Sequence, residues 1–152
     1  MIGLAGLAGV ACSTPSTVNP DDAARVRQID ATVERIRQAY TDKDAEVIRG
    51  LVMPLESLRL LEAEIQHDFA VFKRITLEFA IDRVMVDGTD VAVYFHWQGQ
   101  WQRTADEPPV RERGHAILRL VGQQDLALSG VDGDAPFGMA HRRFSGDRAR
   151  ER

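Results

Sequence analysis

An α+β fold, with N-terminal helices packed on one face of an antiparallel sheet of about four strands, is predicted by three features. Apolar residues recur every three or four positions as far as Phe72, then alternate from Ile75 onward, and turn signals separate the alternating runs. Helices followed by strands, rather than interleaved with them, gather the helices against one sheet.

The first helix starts at Asn19-Pro20-Asp21-Asp22, where Asn can cap, Pro suits the first turn and the acids meet the positive end of the dipole. Val26, Ile29, Val33, Ile36 and Tyr40 then form an apolar stripe. Thr41 to Asp44 interrupts it, and Asp44 can cap a short second helix carrying Val47, Ile48, Leu51 and Val52. Pro54 is expected to open a third, with Leu58, Leu61, Ile65, Phe69 and Phe72 on its buried face.

Ile75, Leu77, Phe79 and Ile81 alternate as a strand does, and the phase then shifts to Val84 and Val86. A bulge or bend is therefore expected at Asp82-Arg83. Asp87-Gly88-Thr89-Asp90 is a hairpin turn. Val91, Val93, Phe95 and Trp97 open a second strand that extends to about Thr104. The loop Ala105 to Pro109 precedes a third strand, Arg111 to Val121, and a fourth runs from Leu126 to Val131. From residue 139 the chain is expected to be an Arg-rich disordered tail.

At 152 residues, 44% hydrophobic and 28% charged, the chain suits one soluble domain, placed at residues 21–138. A net charge of −4 argues against a nucleic-acid partner. The basic residues are 17 Arg and 2 Lys, a bias we ascribe to GC-rich coding. The single cysteine precludes an internal disulfide, and no His/Cys cluster has metal-ligand spacing, so neither a metal nor another cofactor is expected.

That cysteine lies where an apolar run, residues 1–11, meets the Ser/Thr/Pro-rich linker of residues 12–20. The run is too short to span a bilayer and matches the apolar region of a secretory signal. Gly9-Val10-Ala11-Cys12 resembles the lipobox of bacterial lipoproteins, although Gly9 stands where Leu or Val is preferred and no basic segment precedes the run. The resemblance implies cleavage before Cys12, acylation of its thiol and amine, and two-chain anchoring in the cell envelope. Ser13 after the cysteine implies the outer membrane.

"IRQAYTDKDAEVIRGLV" (36–52), "ITLEFAIDRVMVDGTDVAVYFHW" (75–97) and "GVDGDAPFG" (130–138) together resemble the nuclear transport factor 2-like (NTF2-like) superfamily. That resemblance implies a curved sheet and helices enclosing a cone, often dimeric through the open sheet face. Its members include isomerases, dehydratases and polyketide cyclases as well as non-catalytic binding modules, so the fold does not settle the function.

Strand parity directs the search for a site. Phe79, Phe95, Trp97, Trp101 and Leu118 fall on the helix-facing side and, with Tyr40 from the first helix, could line a pocket for a small apolar ligand. Tyr94, His96, His115 and Ile117 fall on the opposite face, with the mixed composition of a homodimer interface. Asp82 at the bulge, Glu112 towards the cone mouth, His96 and Tyr40 are the catalytic candidates, and no carboxylate evidently accompanies His96. The leading expectation is a non-catalytic, membrane-anchored NTF2-like lipoprotein binding an apolar ligand or a protein. The alternative is a cone-type isomerase, dehydratase or hydrolase acting on a small hydrophobic carbonyl compound.

Overall fold

The computed structural model describes residues 19–145. The expected signal (1–11), Cys12, most of the linker and the last seven residues lie outside that range. Three helices, α1 (Pro20–Thr41), α2 (Ala45–Leu51) and α3 (Arg59–Val71), precede strands β1 (Arg74–Asp87), β2 (Asp90–Gln102), β3 (Val110–Val121) and β4 (Ala127–Gly133). A last helix, α4 (Met139–Phe144), follows them. The four strands form one antiparallel sheet in sequence order, with the helices on one face.

Both expected helix caps form. The Asn19 side chain accepts from the Asp21 amide at 3.2 Å and Asp44 from the Val47 amide at 3.0 Å. Helix α1 buries Ile29, Val33, Ile36 and Tyr40, whereas Val26, within the first two turns, is half exposed. Helix α1 runs the length of the sheet. Arg25 donates to the carbonyls of Gly122 and Gln123 at one end, and Arg37 to that of Leu77 at the other.

Pro54 does not open the third helix. The residue before a proline is driven to extended backbone, and Val52 forms a parallel bridge to Leu128 while the Met53 amide donates to the Leu128 carbonyl at 2.9 Å. This stretch covers the outer edge of β4, and a 3-10 turn at Glu56–Leu58 then leads into α3. Leu61 and Phe69 are half buried, Ile65 and Phe72 buried.

The bulge lies where the phase shift placed it. Ile81 pairs with Phe95 and Arg83 with Tyr94, leaving Asp82 as the extra residue. On the helix-facing side two glycines make room for indole rings. A Cβ on Gly99 would lie 2.5 Å from Trp101 Cη2, and one on Gly114 would lie 2.9 Å from Trp97 Cζ2. Both tryptophans therefore lie against bare backbone, where any other residue would collide.

The start of the expected disordered tail is ordered, and its last seven residues lie outside the described range. Met139–Phe144 is helical, Met139 and Ala140 are buried, and Phe144 packs 6.0 Å from Phe72, ring to ring. Arg103 lies 4.2 Å over the Phe144 ring, and Arg142 donates to the carbonyls of Phe137 and Ala135. These contacts supply the partners that six residues of such polar composition lack on their own.

Candidate functional site

Inside the cone the polar chemistry converges on Asp68, which sequence reasoning did not single out. This α3 carboxylate is fully buried, as is Tyr40 of α1. Tyr40 Oη donates to Asp68 Oδ2 at 2.6 Å, and the amides of Gly138 and Ala140 donate to Asp68 Oδ2 and Oδ1, each at 2.7 Å. Trp101 Nε1 donates to Tyr40 Oη at 2.9 Å, so the phenol oxygen both gives and receives. Burial, and then the Asp68 charge, push the Tyr40 hydroxyl well above its usual range, so it stays protonated. The network is saturated, and α4 seals it from the C-terminal side.

The residues expected to line an apolar pocket are packed as core. Tyr40, Phe95, Trp97, Trp101 and Leu118 are buried, and Phe79 is half buried with its ring 4.6 Å from that of Phe95. Trp97 Nε1 donates to the Asp134 carbonyl at 2.6 Å. Glu112 leans from the sheet end towards α4 and pairs with Arg143.

The opposite face of the sheet is open. Two adjoining depressions, of about 540 and 670 Å³, run along it with Glu78, Gln98 and Arg113 shared between them. His96 and His115 lie across from one another in register in the larger one, ring centroids 5.9 Å apart. Tyr94 faces Ile117 in the next outward pair, with Arg83 stacked 4.2 Å over the Tyr94 ring. All four residues assigned to the open face therefore lie on it.

His96 has a carboxylate partner after all. Its Nδ1 lies 2.7 Å from Asp82 Oδ1, and because an ionised carboxylate only accepts, Nδ1 carries the hydrogen. Alternation through Ala80 and Ile81 already puts Asp82 on the face His96 occupies, and the bulge leaves Asp82 there without a cross-strand partner of its own. The two side chains keep 45% and 53% of their exposure, so the pair sits in the open groove, outside the cone. Of the four catalytic candidates the fold brings together only Asp82 and His96. Tyr40 is enclosed with Asp68, and Glu112 is tied to α4. Among the described residues no group of three or more His, Cys, Asp or Glu side chains is arranged to hold a metal ion, and no helix is long and apolar enough to cross a membrane.

Neither a family model nor a curated protein matches the sequence. Solved structures do match the fold. An NTF2-like superfamily protein from Salmonella enterica superposes with a TM-score of 0.63 at 13% identity, over 76% of this chain and 93% of that one. A protein described as a dehydratase candidate of the NTF2-like family, from Streptomyces avermitilis, gives 0.64 at 11% identity, over 73% and 96%. A conserved protein from Planctomyces limnophilus gives 0.62 at 13%, over 72% and 94%. The chain has the NTF2-like fold, an α+β cone. At these identities the likeness defines the architecture and leaves the activity to the site.

Proposed function

We propose that this protein is a non-catalytic NTF2-like module of the bacterial envelope, anchored through lipid on Cys12, that binds a protein partner, a second copy included, on its open sheet face. The filled cone carries this reading. In an NTF2-like enzyme the acid and its polar helpers need room for substrate between sheet and helices. Here Asp68, Tyr40 and Trp101 are buried and spend their hydrogen bonds on one another and on α4. That packing also argues against an apolar ligand within the cone. The half-buried Tyr94 and Ile117, with the exposed Arg83 beside them, have the composition favoured at interface centres.

Metabolic labelling with an alkynyl fatty acid should mark the wild-type chain and not Cys12→Ser. Light scattering on the detergent-free domain should give a dimer mass that Tyr94→Glu returns to a monomer. Unchanged acyl labelling of Cys12→Ser overturns the anchor, and a monomer at tens of micromolar (~10 µM is a weak-interface range) overturns self-association.

A second reading, a hydrolase or isomerase working in the open groove, draws on the Asp82–His96 pair, which has the form of an imidazole base oriented by a carboxylate. Turnover of small carbonyl compounds that His96→Ala abolishes would establish it.

A further inference from the structure

Independently of the anchoring and partner reading, we propose that His96 and His115 form a binding site for a late first-row divalent metal ion, Cu²⁺ in preference to Zn²⁺. Three observations converge on it. The first is tautomeric. Asp82 holds the hydrogen of His96 on Nδ1, which leaves Nε2 with a free lone pair. A carboxylate behind a ligating histidine is the arrangement that orients the ring and raises its basicity towards a metal.

The second is positional. His96 and His115 are direct partners across β2 and β3, on one exposed face, so both rings are supported by sheet backbone. With metal–nitrogen bonds of about 2.0–2.1 Å, two imidazoles sharing an ion sit with centroids roughly 4.5–5.5 Å apart. The observed 5.9 Å is wider by under about 1.5 Å, within reach of side-chain rotation at exposed rings.

The third is electrostatic. The depression that holds both rings is also lined by Glu78 against the single cation Arg113, and Asp82 adds a second carboxylate at its edge. The nearby Arg83 is turned away onto Tyr94. These carboxylates make the groove favourable to a cation without ligating it. The protein thus supplies two nitrogen ligands, and water completes the coordination. Two imidazoles rank Cu²⁺ above Zn²⁺.

The test uses the full chain without a polyhistidine tag, carrying Cys12→Ser to remove the competing thiol. Cu²⁺ is titrated against a weak chelator, with nitrogen hyperfine coupling read by electron paramagnetic resonance and Zn²⁺ followed by calorimetry. One ion per chain with two coordinated imidazoles is expected. His96→Ala and His115→Ala should each weaken binding at least about tenfold, and Asp82→Asn, which leaves both ligands in place, by roughly 10-fold to 100-fold. His141→Ala should bind as the parent does. Binding that survives in either groove variant, including an ion held only at the chain terminus, overturns the site. So does the absence of stoichiometric binding up to about 1 mM metal. Thermal melts of all variants establish that each is folded, since the substituted side chains are exposed.

Discussion

Replacing Asp68 with Ala strips one acceptor from three buried donors at once: the Tyr40 hydroxyl and the amides of Gly138 and Ala140. Hydrogen bonds to a charged group contribute about 1.5–3 kcal/mol each, but three that share one carboxylate do not add in full. We take ~4 kcal/mol for Asp68→Ala. For a domain of this size each kcal/mol moves the midpoint by about 3–5 °C, so melting should fall by roughly 10–20 °C. Asp68→Asn keeps the shape and one acceptor and should lose about half as much. Thermal and urea denaturation should be followed in parallel by far-ultraviolet dichroism and by tryptophan fluorescence, since Trp101 reports on the network directly. A variant melting within about 3 °C of the parent would refute the assignment of Asp68 as the clasp between α3 and α4. A more stable variant would be more telling still, because buried carboxylates retained for catalysis tend to cost stability.

Tyr40→Phe tests the same network through pH. The folded state holds this hydroxyl protonated above its unfolded value, so above about pH 10 the unfolded chain releases a proton the native one keeps. Stability from this group is complete below that pH and falls as pH rises towards the folded value, by up to about 1.4 kcal/mol per pH unit. The difference between wild type and Tyr40→Phe in denaturation midpoints should therefore shrink from pH 9 to pH 11, and a constant difference would contradict the shift. Gly99→Ala should cost about 1–3 kcal/mol in urea unfolding, because its Cβ would meet the Trp101 ring at 2.5 Å and the Thr76 carbonyl at 2.9 Å. Arg119→Ala, which breaks the 2.5 Å pair with Asp132 at half-exposed side chains, should change stability by under about 1 kcal/mol, a contrast measurable in the same assay.

The sheet was legible because alternation is local. Parity alone placed Trp97 and Trp101 inside and His96 and His115 outside, and the shift from Ile81 to Val84 located the bulge. The partner of His96 was within reach of the same reasoning. The hairpin turn sets the register, and alternation from Ile81 puts Asp82 on the face of His96, fourteen positions away. Asp68 left a fainter trace. It falls at helical spacing between Ile65 and Phe72, so an acid stood on the stripe otherwise reserved for core. Helix α4 had no such trace, because Met-Ala-His-Arg-Arg-Phe lacks a buried face of its own. Its order comes from Asp68, Phe72 and Glu112, all distant in sequence. Pro54 failed as a helix start for a tertiary reason, the docking of Met53 on β4.

Helix α1 begins beside the Gly122–Gln124 turn, which is itself joined to the β1–β2 hairpin through the Gly122 amide and the Thr89 carbonyl. Under the proposed acylation of Cys12, a tether would join the domain at the hairpin end of the sheet, where residue 19 lies, and seven residues of chain span at most about 25 Å. The groove occupies the other half of the strands, with Thr76, Gln100 and Arg111 at its far end. From Asp90 to His96 is six residues of strand, or roughly 20 Å. Anchored in this way, the molecule would stand on its hairpins like a paddle on a short handle, its groove held clear of the lipid headgroups and sweeping the space beyond them. A soluble partner would then meet the histidine face without first touching the bilayer.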